Sequence, residues 1–370
     1  MKSYKLIDLK RDYNFLKRKI NSNIYKIFMN GSFTLGQELK DFESNFARYC
    51  NKKFCIGISS GTMALFFALK GIGVNEGDEI IVPTLTFTAT AEAIMQAGAK
   101  PVFIDSEENT LLIDADKIEE KITQKTKAII PVHLYGLSCE MDKILSIGKK
   151  YDLKVIEDCC QAHGATYKGE KVPIGDIGCF SFMAAKNLNA CGDGGCIVTN
   201  NKKIYDFTML LRNHGRRSKN NHVIMGYSGR LDNLKASILD LKLKYLDGWN
   251  KKRGRIAEFY KKNLANVKFQ IIPKDRESCY CYFVIRVKKK RDKILADLKK
   301  EGIDAAVHYP KPLHLQRAYF NLGYKKGDFP NAERACKELI SLPIHPFLKD
   351  DEVRSISGKV NYILDKYLKK

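Results

Sequence analysis

The chain lacks the spacing of a zinc or disulfide protein, the long apolar run of a membrane protein and the concentrated basic patch of a typical nucleic-acid protein. It has eleven cysteines in 370 residues, but the close pairs Cys159/Cys160 and Cys279/Cys281 do not have CxxC spacing and no matched second pair exists. Several lie in apolar strand-like runs, which suits buried free thiols in a reducing compartment. No apolar run is long enough to cross a bilayer, and residues 1–20 are charged throughout without a signal-peptide pattern. A soluble, cytoplasmic protein with no membrane contact is expected. Acidic residues are the minority, 42 against 64 Lys plus Arg, for a formal charge of +22. The bases are spread along the chain among the acids, with only short clusters such as Lys288–Arg291. The charge suits nucleic acid or an anionic substrate as partner, the dispersed pattern speaks against nucleic acid, and a Lys- and Asn-rich proteome would give the same balance without functional meaning. A basic nucleic-acid-binding protein is the non-enzyme alternative, and it predicts steeply salt-dependent binding.

From Phe54 onward, β-branched runs alternate with helical patterns at α/β spacing. Strands are expected at Phe54–Ile58, Glu79–Val82, Pro101–Ile104, Lys127–Val132, Lys154–Glu157, Cys179–Met183 and Cys196–Thr199. A mostly parallel sheet covered by helices follows. Apolar or aromatic residues at Leu231, Leu234, Ile238, Leu241, Tyr245 and Trp249 predict one long helix leading into a smaller unit near residue 250. There the pattern is strand Tyr280–Val287, helix Asp292–Lys300, strand Ile303–Val307, then two more helices. The division expected is residues 1–249 for a large α/β domain, including its N-terminal segment, and 250–370 for a small C-terminal α+β domain.

The stretch Gly178–Gly195, GCFSFMAAKNLNACGDGG, delivers Lys186 into a turn after a short apolar strand. Apolar neighbours would desolvate its ammonium and free the amine to attack a carbonyl, as a Schiff-base lysine does. Three other stretches supply partners. In Ser59–Gly71 a strand meets Ser, Gly and Thr before an apolar helix, so Gly61 and Thr62 would offer N–H groups to a phosphate. A plain N-cap at Ser59 or Ser60 is the alternative. In Lys154–Gly164, Asp158 ends a strand and Gln161 follows, where a carboxylate would keep a pyridine nitrogen protonated. In Val82–Ile94, Phe87 would cover the face of a planar ring or belong to the core. His133 and His163 read as structural histidines.

Phosphate cup, carboxylate, aromatic cover and lysine together describe a pocket for pyridoxal 5'-phosphate, PLP. On these residues the chain resembles the DegT/DnrJ/StrS sugar aminotransferases, from Leu6-Ile7-Asp8-Leu9 to the last helix. The resemblance implies an aspartate aminotransferase-like fold (PLP fold type I) with a seven-stranded sheet, Ser181 as a further cofactor contact, and a homodimer whose subunits share active sites. It implies transfer of the amino group of L-glutamate to a nucleotide-linked keto-sugar, for deoxyaminosugars of surface polysaccharides such as lipopolysaccharide O-antigen. Ser228–Arg253 is closer to the branch acting on carbon 3 of dTDP-linked 3-keto-6-deoxyhexoses. Carbon 4 of a 4-keto-sugar and UDP-linked 3-keto-sugars are the alternatives. In the family, the loop around Arg216, Arg217 and Lys219 reaches the neighbouring active site, and His308 and Tyr309 match its entrance loop.

The chain also departs from the family. Met183, Ala184 and Ala185 replace the usual aromatic or His, Pro, and Ser or Thr. Ser228 stands where the family commonly has a phosphate-contacting Asn, and Cys281 replaces a common histidine. A PLP sugar dehydratase of this fold would carry histidine at the position of Lys186.

Overall fold

The computed structural model describes residues 3–368. Seven strands form the central sheet: β1 (Phe54–Ile58), β2 (Glu79–Pro83), β3 (Lys100–Ile104), β4 (Thr126–Ile129), β5 (Lys154–Asp158), β6 (Ile177–Ser181) and β7 (Gly195–Thr199). Their order is β1–β7–β6–β5–β4–β2–β3. β7 runs antiparallel to both of its neighbours, and the remaining pairs are parallel. Runs such as Ile80-Ile81-Val82 are buried because helices cover both faces, so they read as continuous apolar segments.

Helices α1 (Leu9–Asn30) and α2 (Gln37–Tyr49) precede the sheet; α3 (Gly61–Gly71), α4 (Ala89–Gln96) and α5 (Met141–Lys150) connect its strands, and α6 (Lys202–Leu211) follows the last of them. α3 is apolar nearly all round and buried from Ala64 to Leu69, as a helix enclosed by core must be. The Ser60 hydroxyl accepts the Met63 N–H at 3.2 Å and starts it.

The single helix expected across residues 231–249 is two. Asp232 caps α7 (Asn233–Leu243), whose first turn its carboxylate receives through Lys235 N at 2.8 Å. α8 (Leu246–Asn263) then sets off from Tyr245. No Gly or Pro marks the break. It falls where α7, packed on α1 and α2, gives way to a helix bound for a different core, with Phe15, Trp249 and Phe347 clustered at the joint.

That second core gathers Ile256 and Tyr260 of α8 with β8 (Lys268–Phe269), β9 (Phe283–Arg286), α9 (Arg291–Lys300), β10 (Leu339–Leu342) and α11 (Asp350–Leu368). α10 (Pro330–Glu338) packs instead against the main cluster. The small sheet has the order β8–β9–β10. Ile303–Val307 is not a strand. It makes isolated bridges only, Ile303 to Tyr4 and Ala306 to Ser341, because the N-terminal residues take its bonding groups: Asp304 N donates to Tyr4 O at 2.9 Å. β9 is shorter than the expected Tyr280–Val287 because residues 279–282 dock on the turn at Gly136 instead.

Candidate active site

The cavity lies at the carboxyl ends of β1, β5 and β6, where an open α/β sheet receives ligands. Its volume is about 370 Å³. Because β7 pairs with β1 on one side and β6 on the other, Ile58 and Ser181 both face Gly195. A Cβ at Gly195 would lie 2.5 Å from the Ser60 carbonyl and 2.7 Å from Gly61 N. One at Gly61 would lie 2.6 Å from the Ser181 Cβ and 2.9 Å from the Cys160 Sγ. These two glycines let the start of α3 close against β6. At that start the N–H groups of Gly61 and Thr62 have no partner among the described residues.

Asp158 ends β5 almost fully buried. Its Oδ2 accepts from the Thr90 hydroxyl at 2.9 Å and its Oδ1 from Cys160 N at 3.1 Å. Both bonds hold the carboxylate at the cavity wall. Gln161, one turn on, receives Tyr135 N–H at 2.9 Å on Oε1 and donates from Nε2 to the Tyr309 hydroxyl at 3.1 Å.

Lys186 follows β6 in a tight turn closed by Lys186 N to Met183 O at 2.8 Å and Ala190 N to Phe182 O at 2.7 Å. The side chain is 9% exposed and its ammonium has no hydrogen-bond or ion-pair partner among the described residues. The turn is anchored from behind. Asn187 donates to Asn250 Oδ1 and Cys279 O, and Asn189 donates to the Lys186 carbonyl. Asn189 in turn accepts from Lys242, which also binds Asp12 at 2.7 Å. A buried lysine with no acceptor is unusual, because burying a charge without a partner is costly.

Above the floor stand Phe87 and Tyr309, ring centroids 5.7 Å apart, with Tyr282 stacked on His308 at 3.9 Å. Burial first, and then the positive charge of Lys186, push the His308 pKa down to about 4. Its Nδ1 lies 2.9 Å from the Ser341 hydroxyl. His308 is therefore neutral at pH 7.

Gly61, Thr62, Phe87, Asp158, Gln161, Ser181, Lys186, His308 and Tyr309, named from the sequence, all line this one cavity. Ser228, Arg216 and Lys219 do not. Ser228 is exposed and meets Arg230, while Arg216 begins a short hairpin (Arg216–Ser218 with Asn221–His222). Thr86, Thr90, Cys160, Asp193 and Tyr282 line the cavity unanticipated. For Thr90 a signal existed, a threonine one helical turn past Phe87, but nothing local pairs it with an aspartate 68 residues away. Met183 lines the cavity where the family has an aromatic or histidine.

His133 and Glu157 form a buried pair at 2.8 Å. Glu157 also accepts from Ile174 N and Gly175 N, and Cys139 N donates to His133 Nδ1. With Cys159 they cluster closely enough for a metal, but the histidine and carboxylate are already committed to these bonds. His163, between Phe180 and Phe182, finds no ring-nitrogen partner of good geometry among the described residues. Burial first and Lys186 second push its pKa down to about 3, against a smaller opposing pull from the Ser181 backbone.

The residues present fit PLP: unpartnered helix N–H groups in a cradle that a Cβ would fill, a buried carboxylate, an aromatic cover and a partnerless lysine share one cavity. Known proteins agree. The chain is 41% identical over 361 residues to a pleiotropic regulatory protein of Geobacillus stearothermophilus, covering 96% of this chain and 97% of that one. It is also 41% identical over 358 residues to the dTDP-3-amino-3,6-dideoxy-alpha-D-galactopyranose transaminase of Aneurinibacillus thermoaerophilus, covering 96% and 98%. DesV of Streptomyces venezuelae, solved in complex with a ketimine intermediate, superposes with a TM-score of 0.96 at 35% identity over 98% of both chains. Other solved structures of this fold hold the cofactor in its PLP and PMP forms. Residues 14–361 match the DegT/DnrJ/EryC1/StrS aminotransferase family, and the chain belongs to that family of PLP-dependent enzymes.

Proposed function

We propose that this aminotransferase moves the amino group of L-glutamate to carbon 3 of a dTDP-linked 3-keto-6-deoxyhexose, in deoxyaminosugar synthesis for surface polysaccharide. The reading is supported above all by the partnerless Lys186 amine in the same cavity as the Thr90-bound Asp158. The relatives named above supply the sugar. PLP, when bound, offers an aldehyde carbon and a ring that takes up carbanion charge.

Each residue has a task. Gly61 and Thr62 N–H groups, with Ser181, would bind the phosphate. Asp158 holds a proton on the ring nitrogen, and Thr90 and Cys160 N keep its oxygens aimed. Phe87 covers the ring face. The Lys186 amine, unclaimed by any acidic side chain, would take up and release a proton at its Nζ. Gln161 completes the wall, and His308 and Tyr309 meet the sugar nucleotide.

Lys186 is the only lysine or arginine among the described residues lining the cavity. The ligands bring a phosphate, a diphosphate and two carboxylates. Further cations are therefore assigned to a second copy of the chain in a cytoplasmic homodimer, through Arg216 and Lys219 of the exposed hairpin, with Ser228 near the partner's phosphate. Met225 beside that hairpin is 90% exposed, consistent with a covered position in such a dimer. Residues 1–249 serve as the large lobe and 250–370 as the small one, except that α8 starts at Leu246, Tyr4 joins the small core and α10 packs on the large lobe's cluster.

The test is the visible spectrum of PLP-loaded protein, read after L-glutamate and then after dTDP- and UDP-linked 3- and 4-keto-sugars in turn. A spectrum changed by glutamate and restored by a dTDP-linked 3-keto-sugar supports the reading. Restoration by a UDP-linked or 4-keto-sugar alone replaces the substrate, and no response to glutamate overturns the donor.

A further inference from the structure

Tyr135 is fully buried and lies outside the cavity lining, yet both of its ends bind residues that form it. Its N–H donates to Gln161 Oε1 at 2.9 Å. Its hydroxyl donates to the carbonyl of His308. Gln161 Nε2 then donates to the Tyr309 hydroxyl at 3.1 Å. Since His308 and Tyr309 are consecutive, these bonds close a circuit from the large-lobe turn to the cavity rim.

The circuit has a fixed polarity. A backbone N–H can only donate, so the Gln161 oxygen must face Tyr135 and its NH2 must face Tyr309. The Tyr309 oxygen is thereby an acceptor toward Gln161. Its own proton, with no acceptor among the described residues, is left to donate to a ligand oxygen.

The same turn grips the other half of the rim. Tyr135 has φ 62° and Gly136 φ 99°. A Cβ at Gly136 would lie 2.7 Å from the Cys279 Sγ and 3.0 Å from the backbone nitrogens of Tyr280 and Cys281. Cys279 N donates to Gly136 O at 3.0 Å. Tyr282, three residues on, stacks on His308.

We propose that Tyr135 is a positioning residue: it orients Gln161 and the His308–Tyr309 segment so that the Tyr309 hydroxyl is presented as a hydrogen-bond donor to an oxygen of the sugar nucleotide. This rests on the function proposed above for the rim, and adds the residue that sets its donor.

The experiment uses the full-length PLP-loaded protein and its Tyr135→Phe variant, which keeps the ring and loses the hydroxyl. Leaving the buried His308 carbonyl without its donor loosens the segment. Amide hydrogen exchange over residues 308–315 should quicken by about fivefold or more, with the sheet strands unchanged. KM for the keto-sugar should rise about five- to tenfold at near-constant kcat. Tyr309→Phe should raise KM similarly, and the double variant should be no worse than the weaker single variant. Unchanged exchange in residues 308–315, exchange that quickens evenly over the whole chain, or KM effects that multiply in the double variant would each overturn the proposal. If Tyr135→Phe folds poorly, Gln161→Leu cuts the circuit at its other bond and is read by the same exchange measurement. If the unmodified protein aminates no keto-sugar, the functional reading fails, and the exchange result alone then decides whether Tyr135 holds the rim.

Discussion

Two regions of this chain carry the marks of an anion site, the glycine-lined start of α3 and the basic hairpin at 216–222, and the fold treats them differently. At α3 there is no arginine. The donors are backbone N–H groups held by a helix, and two glycines admit a close approach of backbone to backbone. The hairpin has Arg216, Arg217 and Lys219, and they stand on the surface of a single chain. Charge count is thus a poor guide to where a fold sets out free donors. Donors fixed by the fold need no reordering when a ligand arrives, whereas long charged side chains lose rotamer freedom and are screened by salt.

The comparison can be broken by variants in order of effect. Lys186→Ala should lower turnover by about 10⁴-fold or more while leaving the thermal midpoint nearly unchanged; activity within tenfold of the parent would remove Lys186 from the mechanism. Gly195→Ala forces a methyl group against the Ser60 carbonyl, at a cost of roughly 1–3 kcal/mol. PLP affinity, titrated by absorbance, should fall at least about tenfold. A neutral result would mean that the α3 start is not the phosphate cup.

Removing Arg216 and Lys219 together tests the other region. KM for the sugar nucleotide should rise only about two- to fivefold, an effect that fades in high salt. A larger, salt-independent loss would show that the hairpin is built into the site as firmly as α3.

A last variant reads stability rather than activity and concerns His163, buried against Phe180 and Phe182. Its pKa is low in the folded chain, about 3, and ordinary, about 6.5, when unfolded. The unfolded chain therefore takes up a proton first, so the stability tied to neutral His163 is present above about pH 6.5 and is lost progressively as pH falls toward 3. His163→Phe should shrink the fall in unfolding free energy between pH 7 and pH 5 by roughly 2 kcal/mol, measured by urea denaturation. The remaining fall includes His308 and His345, both depressed to about 4 mainly by burial. An identical fall in parent and variant would remove His163 from the acid response.

Local pattern carried much of this molecule. The sheet strands announce themselves as β-branched runs, and Gly61, Asp158 and Lys186 each stand where a strand ends, so their convergence follows from a parallel sheet. Tyr135 and Tyr282 carry no such signal and Thr90 only its place one turn past Phe87, because each matters through a partner far along the chain. The strand at Leu339–Leu342 carries no local signal for a related reason: ELISLPIH has no period of its own and becomes a strand by pairing with β9.

By itself, the sequence determined the class of fold and the chemical kinds of group that reach the cavity, since strand ends, helix starts and the single turn around Lys186 depend on neighbouring residues. Only the tertiary structure decided which groups are satisfied and which are left free. It leaves the Lys186 amine and the Tyr309 proton without acceptors among the described residues, ties Asp158 to Thr90, and keeps Arg216 outside. The physical reason is that hydrogen-bond saturation and burial are set by contacts between segments remote in sequence, which no local pattern encodes.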